Sequence, residues 1–461
     1  MKRYVVVGTG GRSQMYVEAL LTTHSDVGQV VGFVDTNAVR MSYYDELVAA
    51  HGGAPVRHAA PEGFLELLRE ERADAVIVTS PDVTHAHYVV AALDAGVDVV
   101  CEKPLTIDAA GLRAIVDAAE RSTAHLTVTF NYRYSPRNSV VRRLLQEGAI
   151  GEVTSVHFEW CLDTVHGADY FRRWHREKEN SGGLLVHKST HHFDLVNWWL
   201  DDVPVSVYAR GGLRFYGAQN AARRGLPPRP ELGRDALGRE DPYVLDLDAD
   251  PKMRRLFLAG EHLDGYHRDR DVFSEGITIE DNVSVLVGYA RGASLAYTLT
   301  AHAPWEGYRV AFNGTGGRLE LEVVERSRVD AAAVAAGARP GKDAPAVDPS
   351  AAATDGTHGS GSGDHRERRP WGSRLVLQPL WEAAAEVPIP TGGGAHGGGD
   401  AMLLDDVFRG PGHDPLGRPA GYLDGVRSVL VGVCANASLV SGGAVDTRSH
   451  ALPLGDAPHL V

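Results

Sequence analysis

The run Tyr4-Val5-Val6-Val7-Gly8-Thr9-Gly10-Gly11-Arg12-Ser13 stands near the start of the chain and decides the fold. Its first half is apolar and β-branched, which predicts a buried strand, and the residues from Ser13 to Leu21 have helical character. A second apolar strand is expected from Val30 to Asp35, ending in an acid. Strand, helix and strand in this order predict a βαβ unit with parallel strands.

The turn between the first strand and helix is rich in small residues and carries one arginine: Gly8, Gly10, Gly11, Arg12 and Ser13. Small residues let backbone N–H groups approach a pyrophosphate at a helix N-terminus. Asp35 follows at roughly the 20-residue spacing of an acid that holds a ribose 2′-hydroxyl. The pattern predicts a site for NAD. NADP is the less favoured alternative, because Arg12 and Arg40 could reach a 2′-phosphate.

The alternation of helix and strand continues beyond this unit. We expect helices at Phe64 to Arg69, Ala86 to Ala95 and Ala109 to Ser122, and strands at Ala75 to Thr79, Val97 to Val100 and Leu126 to Phe130. This pattern predicts an α/β fold, a doubly wound parallel sheet of the Rossmann type, over residues 1–125.

Longer strands with partial alternation follow, at Val153 to Trp160, Val205 to Arg210, Ile277 to Tyr289, Ser294 to Thr300, Tyr308 to Asn313 and Arg318 to Val323. They predict an α+β second domain over residues 126–445, with an open, mainly antiparallel sheet. Insertions at about residues 211–274 and 329–370 interrupt this sheet. The second is rich in Ala, Gly, Ser and Asp, and we expect it to be disordered.

Composition limits the partners. The 461 residues carry a formal net charge of -14, which disfavours nucleic acid and anionic membrane because both bind basic surfaces. Cys101, Cys161 and Cys434 form no CxxC pair, so neither a disulfide framework nor a thiolate metal site is expected. The chain enters its first strand at once, and no apolar run is expected to span a membrane. The expected location is the cytoplasm.

The segment Val100-Cys101-Glu102-Lys103-Pro104 is the strongest indication of function. It follows a predicted strand at the position where a nucleotide-binding sheet would deliver a lysine to its carboxyl edge. The proline fixes the backbone after Lys103. Most lysines are solvated surface charges, but this one is expected to be held in place.

Several motifs share the order and spacing of one known family: Thr79-Ser80-Pro81 with His85, Cys101-Glu102-Lys103-Pro104-Leu105, Phe130-Asn131-Tyr132-Arg133-Tyr134-Ser135-Pro136, and the segment from Ser181 to Asp194. They resemble the Gfo/Idh/MocA family, named for glucose-fructose oxidoreductase and inositol dehydrogenase. The resemblance implies NAD(P) on a Rossmann domain, a sugar or cyclitol against the second domain's open sheet, and hydride transfer at a secondary alcohol. It also implies cofactor contacts from Ser80, Pro81, His85, Glu102, Lys103 and Asn131.

The resemblance assigns catalytic residues as well. The lysine of the family's EKP motif maps onto Lys103, and the histidine of its GG-x(4)-D-x(3)-H-x(2)-D helix maps onto His191, with the final acid at Asp194. The first aspartate of that helix is replaced by His187, followed by Lys188. A specialised subgroup is implied.

Oxidation of a secondary alcohol needs a base for the hydroxyl proton, and a lysine beside a cationic ring is pushed toward its neutral form. We expect Lys103, His191 and His187 to be catalytic. If Gly182 to Leu200 is one helix, His187, His191 and Asp194 share a face at i, i+4 and i+7. Core packing of the histidines and a zinc site are the alternatives. Lys188 and the lack of an HExxH glutamate disfavour zinc, so no metal is expected.

The expected substrate contacts combine planar donors with aromatic faces, which suit a polyhydroxylated ring: Lys103, Arg133, Arg172, Trp174, Lys188, His191, His192 and Trp305. Core packing is an equal alternative for Trp305. The half-apolar exposed face of the second sheet predicts a homodimer or homotetramer.

Three functions fit these observations. The first is an NAD(P)-dependent dehydrogenase that acts on a CH–OH group of a sugar, glycoside or cyclitol. The second is a redox-neutral glycoside cleavage, in which a transient keto-sugar forms and the cofactor stays bound. The third is a non-catalytic, nucleotide-sensing regulatory protein, against which the presence of both Lys103 and His191 argues.

Overall fold

The structure is a computed structural model, and it describes residues 1–236, 241–331, 334, 372–390 and 399–455. The described strands, in chain order, are β1 (Lys2–Val7), β2 (Gly28–Val34), β3 (Arg57–Ala59), β4 (Ala75–Val78), β5 (Asp98–Cys101), β6 (Leu126–Val128), β7 (Val153–Asp163), β8 (Pro204–Gly212), β9 (Asn282–Tyr289), β10 (Ser294–Ala303), β11 (Glu306–Gly314), β12 (Gly317–Arg326), β13 (Gly372–Pro379), β14 (Ala385–Glu386), β15 (Ala420–Gly421) and β16 (Val445–Asp446). Most of the insertion predicted at 329–370 lies outside the described residues.

The described α-helices are α1 (Ser13–Leu21), α2 (Ala38–Ala50), α3 (Phe64–Glu70), α4 (His85–Asp94), α5 (Ala109–Arg121), α6 (Pro136–Gln146), α7 (His166–Arg172), α8 (Lys178–Ser181), α9 (Leu184–His187), α10 (Ser189–Leu200), α11 (Ala218–Arg223), α12 (Pro251–Met253), α13 (Glu261–Asp264), α14 (Gly399–Arg409) and α15 (Tyr422–Ser441).

The first sheet confirms the predicted Rossmann fold. Its order is β15-β6-β5-β4-β1-β2-β3, parallel except for β15. Alternate residues of β1 pack into separate apolar clusters, Val5 and Val7 on one side and Tyr4 and Val6 on the other, so both faces are covered. The sheet runs on to Val128, beyond the boundary predicted at residue 125.

The topology of this sheet determines where a ligand can bind. Strand order reverses between β1 and β4, and the carboxyl ends of strands at such a reversal border a crevice. Ser80 and Lys103 follow the ends of β4 and β5 directly. The sheet therefore delivers both residues to one edge.

The second sheet confirms the open, mainly antiparallel prediction. Its order is β14-β13-β12-β11-β7-β10-β9-β8-β16, and β7 with β10 is its parallel pair. Period-two alternation buries Phe158 and Trp160 of β7 among rings from helix α10, while Glu159 between them faces outward. The helical side of the sheet thus faces the interior of the molecule.

The helix predicted from Gly182 to Leu200 is interrupted, which corrects the sequence-based expectation. Gly182 and Gly183 have φ values of +70° and +77°, so the first helical piece begins only at Leu184. It ends at His187, and α10 begins at Ser189. His187 and His191 therefore do not lie on one continuous helix.

Helix α15 is long and apolar enough to cross a membrane by length and composition alone. Val426, Val429, Leu430 and Cys434 on this helix are 0% exposed. The helix packs against α10, α9 and β8 in the described part of the chain. Its apolar character is thus explained by core packing between the two sheets' helical layers.

Candidate active site

The turn between β1 and α1 leaves room for a nucleotide. Gly8 has a φ of +85°, and a Cβ there would lie 2.5 Å from the backbone of Ser80, so a larger residue does not fit. A Cβ at Gly10 would meet no atom within 4 Å. Ser13 and Tyr44 donate hydrogen bonds to the Gly10 carbonyl at 2.7 and 2.5 Å and hold the turn in shape. The open side of Gly10 fits the pyrophosphate of a dinucleotide.

Asp35 lies at the same edge, and protein donors already hold its carboxylate. It accepts hydrogen bonds from the backbone and hydroxyl of Thr9, at 2.6 and 2.8 Å, and from the backbone of Asn37 at 2.8 Å. Arg40 pairs with it at 3.0 Å and also pairs with Asp264 from the first predicted insertion. Two carboxylates therefore compensate the charge of Arg40.

Arg12 and Glu102 link the start of α1 to the end of β5. Arg12 Nε lies 2.5 Å from Glu102 Oε1, which also accepts a hydrogen bond from the Tyr16 hydroxyl at 2.6 Å. Burial opposes ionisation of Glu102, but Arg12, Tyr16 and Lys103 together outweigh it, and the pKa of this carboxyl is lowered. Glu102 is therefore a fixed negative charge beside Lys103.

His85 supports this edge from within. Its ring nitrogens lie 2.7 Å from the Pro104 carbonyl and 2.9 Å from the Ser80 carbonyl, and the residue is 1% exposed. It joins the turns after β4 and β5 and so holds the segment of Ser80 and Pro81 in place. Asn131, the other cofactor contact implied by resemblance, donates to Asp400 at 3.0 Å.

Part of the first insertion lies over the nucleotide turn. Leu256 is 0% exposed and packs in the apolar cluster on one face of the Rossmann sheet. The ring of Phe257 is the nearest group to an added Cβ at Gly11, at 4.0 Å. Asn37 donates to the carbonyl of Gly260 at 2.8 Å. The second domain therefore reaches across to the cofactor side of the first.

Lys103 is held by the interruption in the helix. His191 N bonds to the Lys188 carbonyl at 3.3 Å, so the His187 carbonyl is left to accept a hydrogen bond from Lys103 Nζ, also at 3.3 Å. Burial lowers the pKa of Lys103 to about 8. Lys188 and Arg12 also act to lower it, whereas Asp82 and Glu102 act to raise it. Close to neutral pH this amine can take up a proton.

His187 is bonded to a residue of the Rossmann domain. Its Nδ1 lies 2.5 Å from Asp82 Oδ2, and both side chains are nearly buried. The rings of Tyr170, Trp174 and His175 surround the imidazole, with centroids at 5.5, 5.9 and 4.1 Å. Burial lowers the pKa of His187, with Lys103 adding to the effect, so the ring is neutral near pH 7.

His191 and Lys188 meet at Tyr132. The His191 ring stacks on that of Tyr132 at 4.3 Å, and its Nδ1 is buried without a hydrogen-bond partner among the described residues. Lys188 Nζ donates to the Tyr132 hydroxyl at 3.0 Å and lies 4.9 Å from the ring centre of Trp160. Burial lowers the pKa of His191, with Lys103 adding to the effect. The site therefore brings two imidazoles and two amines together.

Two predicted substrate arginines have other partners, which corrects that expectation. Arg133 makes a two-point ion pair with Asp194, at 2.8 and 2.5 Å, and a third bond to Asp424 at 2.9 Å, and it is 2% exposed. Arg172 donates twice to the carbonyl of Tyr243, at 3.2 and 2.7 Å. Both guanidinium groups stabilise the fold.

His192 and Trp305 are also absent from the site. His192 is 0% exposed, stacks on Trp160 at 4.0 Å and bonds to the Tyr297 hydroxyl at 2.7 Å, so it belongs to the core. Trp305 packs with Cys161, on the face of the second sheet away from α10. For Trp305, the structure therefore favours the core-packing alternative.

The zinc alternative finds no support in the geometry. Asp194 is occupied by Arg133, and His187 by Asp82, so these side chains do not converge with His191. Among the residues that the structure describes, no group of three or more His, Cys, Asp or Glu side chains is placed to hold a metal ion.

Asp82 and Tyr132 are residues that sequence reasoning missed. Asp82 follows Ser80 and Pro81 at the carboxyl end of β4, the same edge as Lys103, and this position was a usable signal. Tyr132 stands inside a motif quoted above, but nothing in the sequence shows that it stacks on His191. Asp82 is placed by a contact between the two domains, and Tyr132 by packing against α10.

Both domains of the chain match a known protein family. The family model described as "Oxidoreductase family, NAD-binding Rossmann fold" matches residues 2–130. A second family model, described as "Oxidoreductase family, C-terminal alpha/beta domain", matches residues 142–342. YteT of Bacillus subtilis, which carries an oxidoreductase name, is 33% identical over 455 residues, 94% of each chain. An inositol 2-dehydrogenase of Rubrobacter xylanophilus is 31% identical over 214 residues, 45% of this chain and 54% of that one. The structure of levoglucosan dehydrogenase in complex with NADH matches with a TM-score of 0.62 at 16% identity, over 97% of this chain and 99% of that one.

Proposed function

The chain belongs to the Gfo/Idh/MocA family of nicotinamide-dependent oxidoreductases, and on this premise we propose that it oxidises a secondary hydroxyl of a sugar, glycoside or cyclitol with NAD. One observation carries the proposal: Lys103 Nζ stands at the carboxyl edge of the Rossmann sheet and is bonded to the His187 carbonyl of the second domain. A group at this point can meet both a cofactor on the first domain and a substrate on the second.

The residues that would hold the cofactor are those of the nucleotide turn, with Asp35 at the ribose end and the segment of Ser80 and Pro81 at the other. When bound, the nicotinamide accepts the hydride from the carbinol carbon. Asp35 and the compensated charge of Arg40 favour a ribose hydroxyl over a 2′-phosphate, which supports NAD over NADP. Titration of both cofactors by fluorescence tests this preference, and tighter binding of NADP would contradict it.

Lys103 is proposed as the base that takes the hydroxyl proton. Burial brings its pKa to about 8, so a usable fraction of the amine is neutral at physiological pH. His191, with its unpartnered Nδ1 and lowered pKa, is the second group that can accept a proton or a hydroxyl hydrogen bond. Trp174 and Lys188 are proposed as further substrate contacts, because an aromatic face and a cation suit a polyhydroxylated ring.

The test is nicotinamide absorbance during incubation with NAD and a panel of hexoses, glycosides and inositols. We expect reduction with at least one member, and a loss of about 100- to 10,000-fold in kcat with Lys103→Met, the range for a lost general base. Lys2→Met, an exposed lysine on β1, is the matched control. Full activity of Lys103→Met would contradict the proposal.

Redox-neutral glycoside cleavage is the second candidate, and the insertion favours it. A segment that packs Leu256 into the Rossmann domain and sets Phe257 over the nucleotide turn would slow cofactor exchange. A retained cofactor suits a reaction that returns its hydride within each turnover. Release of aglycone from a glycoside, without accumulation of reduced cofactor, would identify this route.

A further inference from the structure

Asp82 is a buried carboxylate that the proposed chemistry has not yet used. It follows the end of β4 in the Rossmann domain and is 3% exposed. Among the described residues, its ion-pair partner within 4.0 Å is His187 of the second domain. Burial raises the pKa of Asp82 well above its usual range and Glu102 acts in the same direction, whereas Lys103 and Arg173 act to lower it. A carboxylate buried at this edge, without an arginine or lysine in direct contact, requires an explanation.

Lys103 and Arg173 favour the ionised form of Asp82. An ionised Asp82 accepts the Nδ1–H of His187, and in the neutral ring the lone pair then lies on Nε2. Among the described residues, the hydrogen bond that the ring makes is the one at Nδ1, and the His187 side chain is 11% exposed. Trp174 and Tyr170 flank the same ring. The imidazole therefore lies beside Trp174, one of the proposed substrate contacts.

Neither α9 nor α10 supplies a carboxylate to His187. Asp194, the acid on α10, is taken up by Arg133 on the far side of the site. Any acid that orients His187 must therefore come from another element, and β4 delivers it.

We propose that Asp82 and His187 form a dyad across the two domains, in which Asp82 is the positioning residue and His187 Nε2 accepts a hydrogen bond from a substrate hydroxyl. The assignment rests on the proposed oxidation of a polyol. It adds a second function for the dyad: the charge of Asp82 acts on Lys103, whose Nζ is bonded to the carbonyl of the same His187. Asp82 thus orients the acceptor nitrogen of His187 and also raises the pKa of Lys103, the proposed base.

The charges around the dyad determine the sign of its effect. Lys103, His175, Arg173 and Lys188 all act to lower the pKa of His187, whereas Asp82 acts to raise the pKa of Lys103. Removal of the Asp82 charge therefore lowers the pKa of Lys103 further. The rising limb of the kcat/KM profile must then move to lower pH, although the rate itself falls.

Two variants test the dyad. Asp82→Ala removes the acceptor, and Asp82→Asn removes the charge while keeping the shape. Asp94→Asn, an exposed acid on α4, is the matched control. In protein labelled with ¹⁵N-histidine and free of substrate, we expect His187 in the Nδ1–H tautomer for the wild type and the control, and in a mixture for Asp82→Ala.

In turnover, kcat/KM should fall about 10- to 100-fold in both Asp82 variants, the effect of one lost charge-assisted hydrogen bond. The rising limb of the kcat/KM profile should move to lower pH in Asp82→Asn and keep its position in the control. An unchanged tautomer in Asp82→Ala, or an unchanged pH limb in Asp82→Asn, overturns the dyad. A wild type that turns over no member of the panel counts against the proposed function instead, and the tautomer then decides the dyad alone.

Discussion

Among single residues, Lys103 is the one on which the proposed oxidation depends. The amine works as a base only when neutral, so kcat/KM should rise with pH through a pKa of about 8 and fall about tenfold per unit below it. Lys103→Arg keeps the charge and should lose this limb together with most of the activity. A pH profile of kcat/KM for both proteins checks the prediction, and a rising limb that persists in Lys103→Arg would refute it.

Arg133 makes a second prediction, about stability. Its ion pair with Asp194 is buried, with side chains 2% and 1% exposed, so Arg133→Met leaves an uncompensated carboxylate. The free energy of unfolding should fall by about 3–5 kcal/mol in a urea titration. Arg143→Met, which breaks an exposed pair with Glu147, should cost less than about 1 kcal/mol. Similar losses in the two variants would argue against the structural role of Arg133.

The same two residues mark the limit of sequence reasoning about the site. The motif around Lys103 predicts its position, because the end of β5 places it whatever the rest of the chain does. Arg133 stands in an equally distinctive motif, yet its partners are acids from distant parts of the chain. Spacing along the sequence does not contain that information, and it does not pair Asp82 with His187 either.

At the scale of elements, the helix from Gly182 to Leu200 shows what periodicity misses. The residue pattern is helical throughout, but the backbone breaks at Lys188, and a side chain from the other domain takes the freed carbonyl. Such a break is a tertiary effect. It is also what separates His187, turned toward Asp82, from His191, stacked on Tyr132.

The insertion gives the prediction at this scale. Leu256 anchors it in the Rossmann core, so Leu256→Ala should loosen the segment over the nucleotide turn and raise the dissociation rate of NADH by about tenfold or more. Stopped-flow fluorescence measures that rate. Leu263→Ala, at a site 48% exposed in the same insertion, should leave it unchanged. Equal rates in all three proteins would show that the segment does not retain the cofactor.

At the scale of the whole molecule, the sequence predicts the two sheets well because each is a repetition of a local pattern. Apolar runs alternating with helices predict the parallel sheet, and period-two strands predict the antiparallel one. What the patterns leave out is the contact between the domains: the packing of the insertion on the first domain and the bond between Lys103 and the His187 carbonyl. The proposed site is made by that contact.

The most direct test of the central claim is a single turnover with a substrate from the panel deuterated at the carbon to be oxidised, followed by mass spectrometry of cofactor and product. We expect deuterium on the nicotinamide in the wild type, whether the label stays there or later returns to product. In Lys103→Met it should appear about 100- to 10,000-fold more slowly. Product formed by the wild type while the nicotinamide remains unlabelled throughout the turnover would contradict that claim.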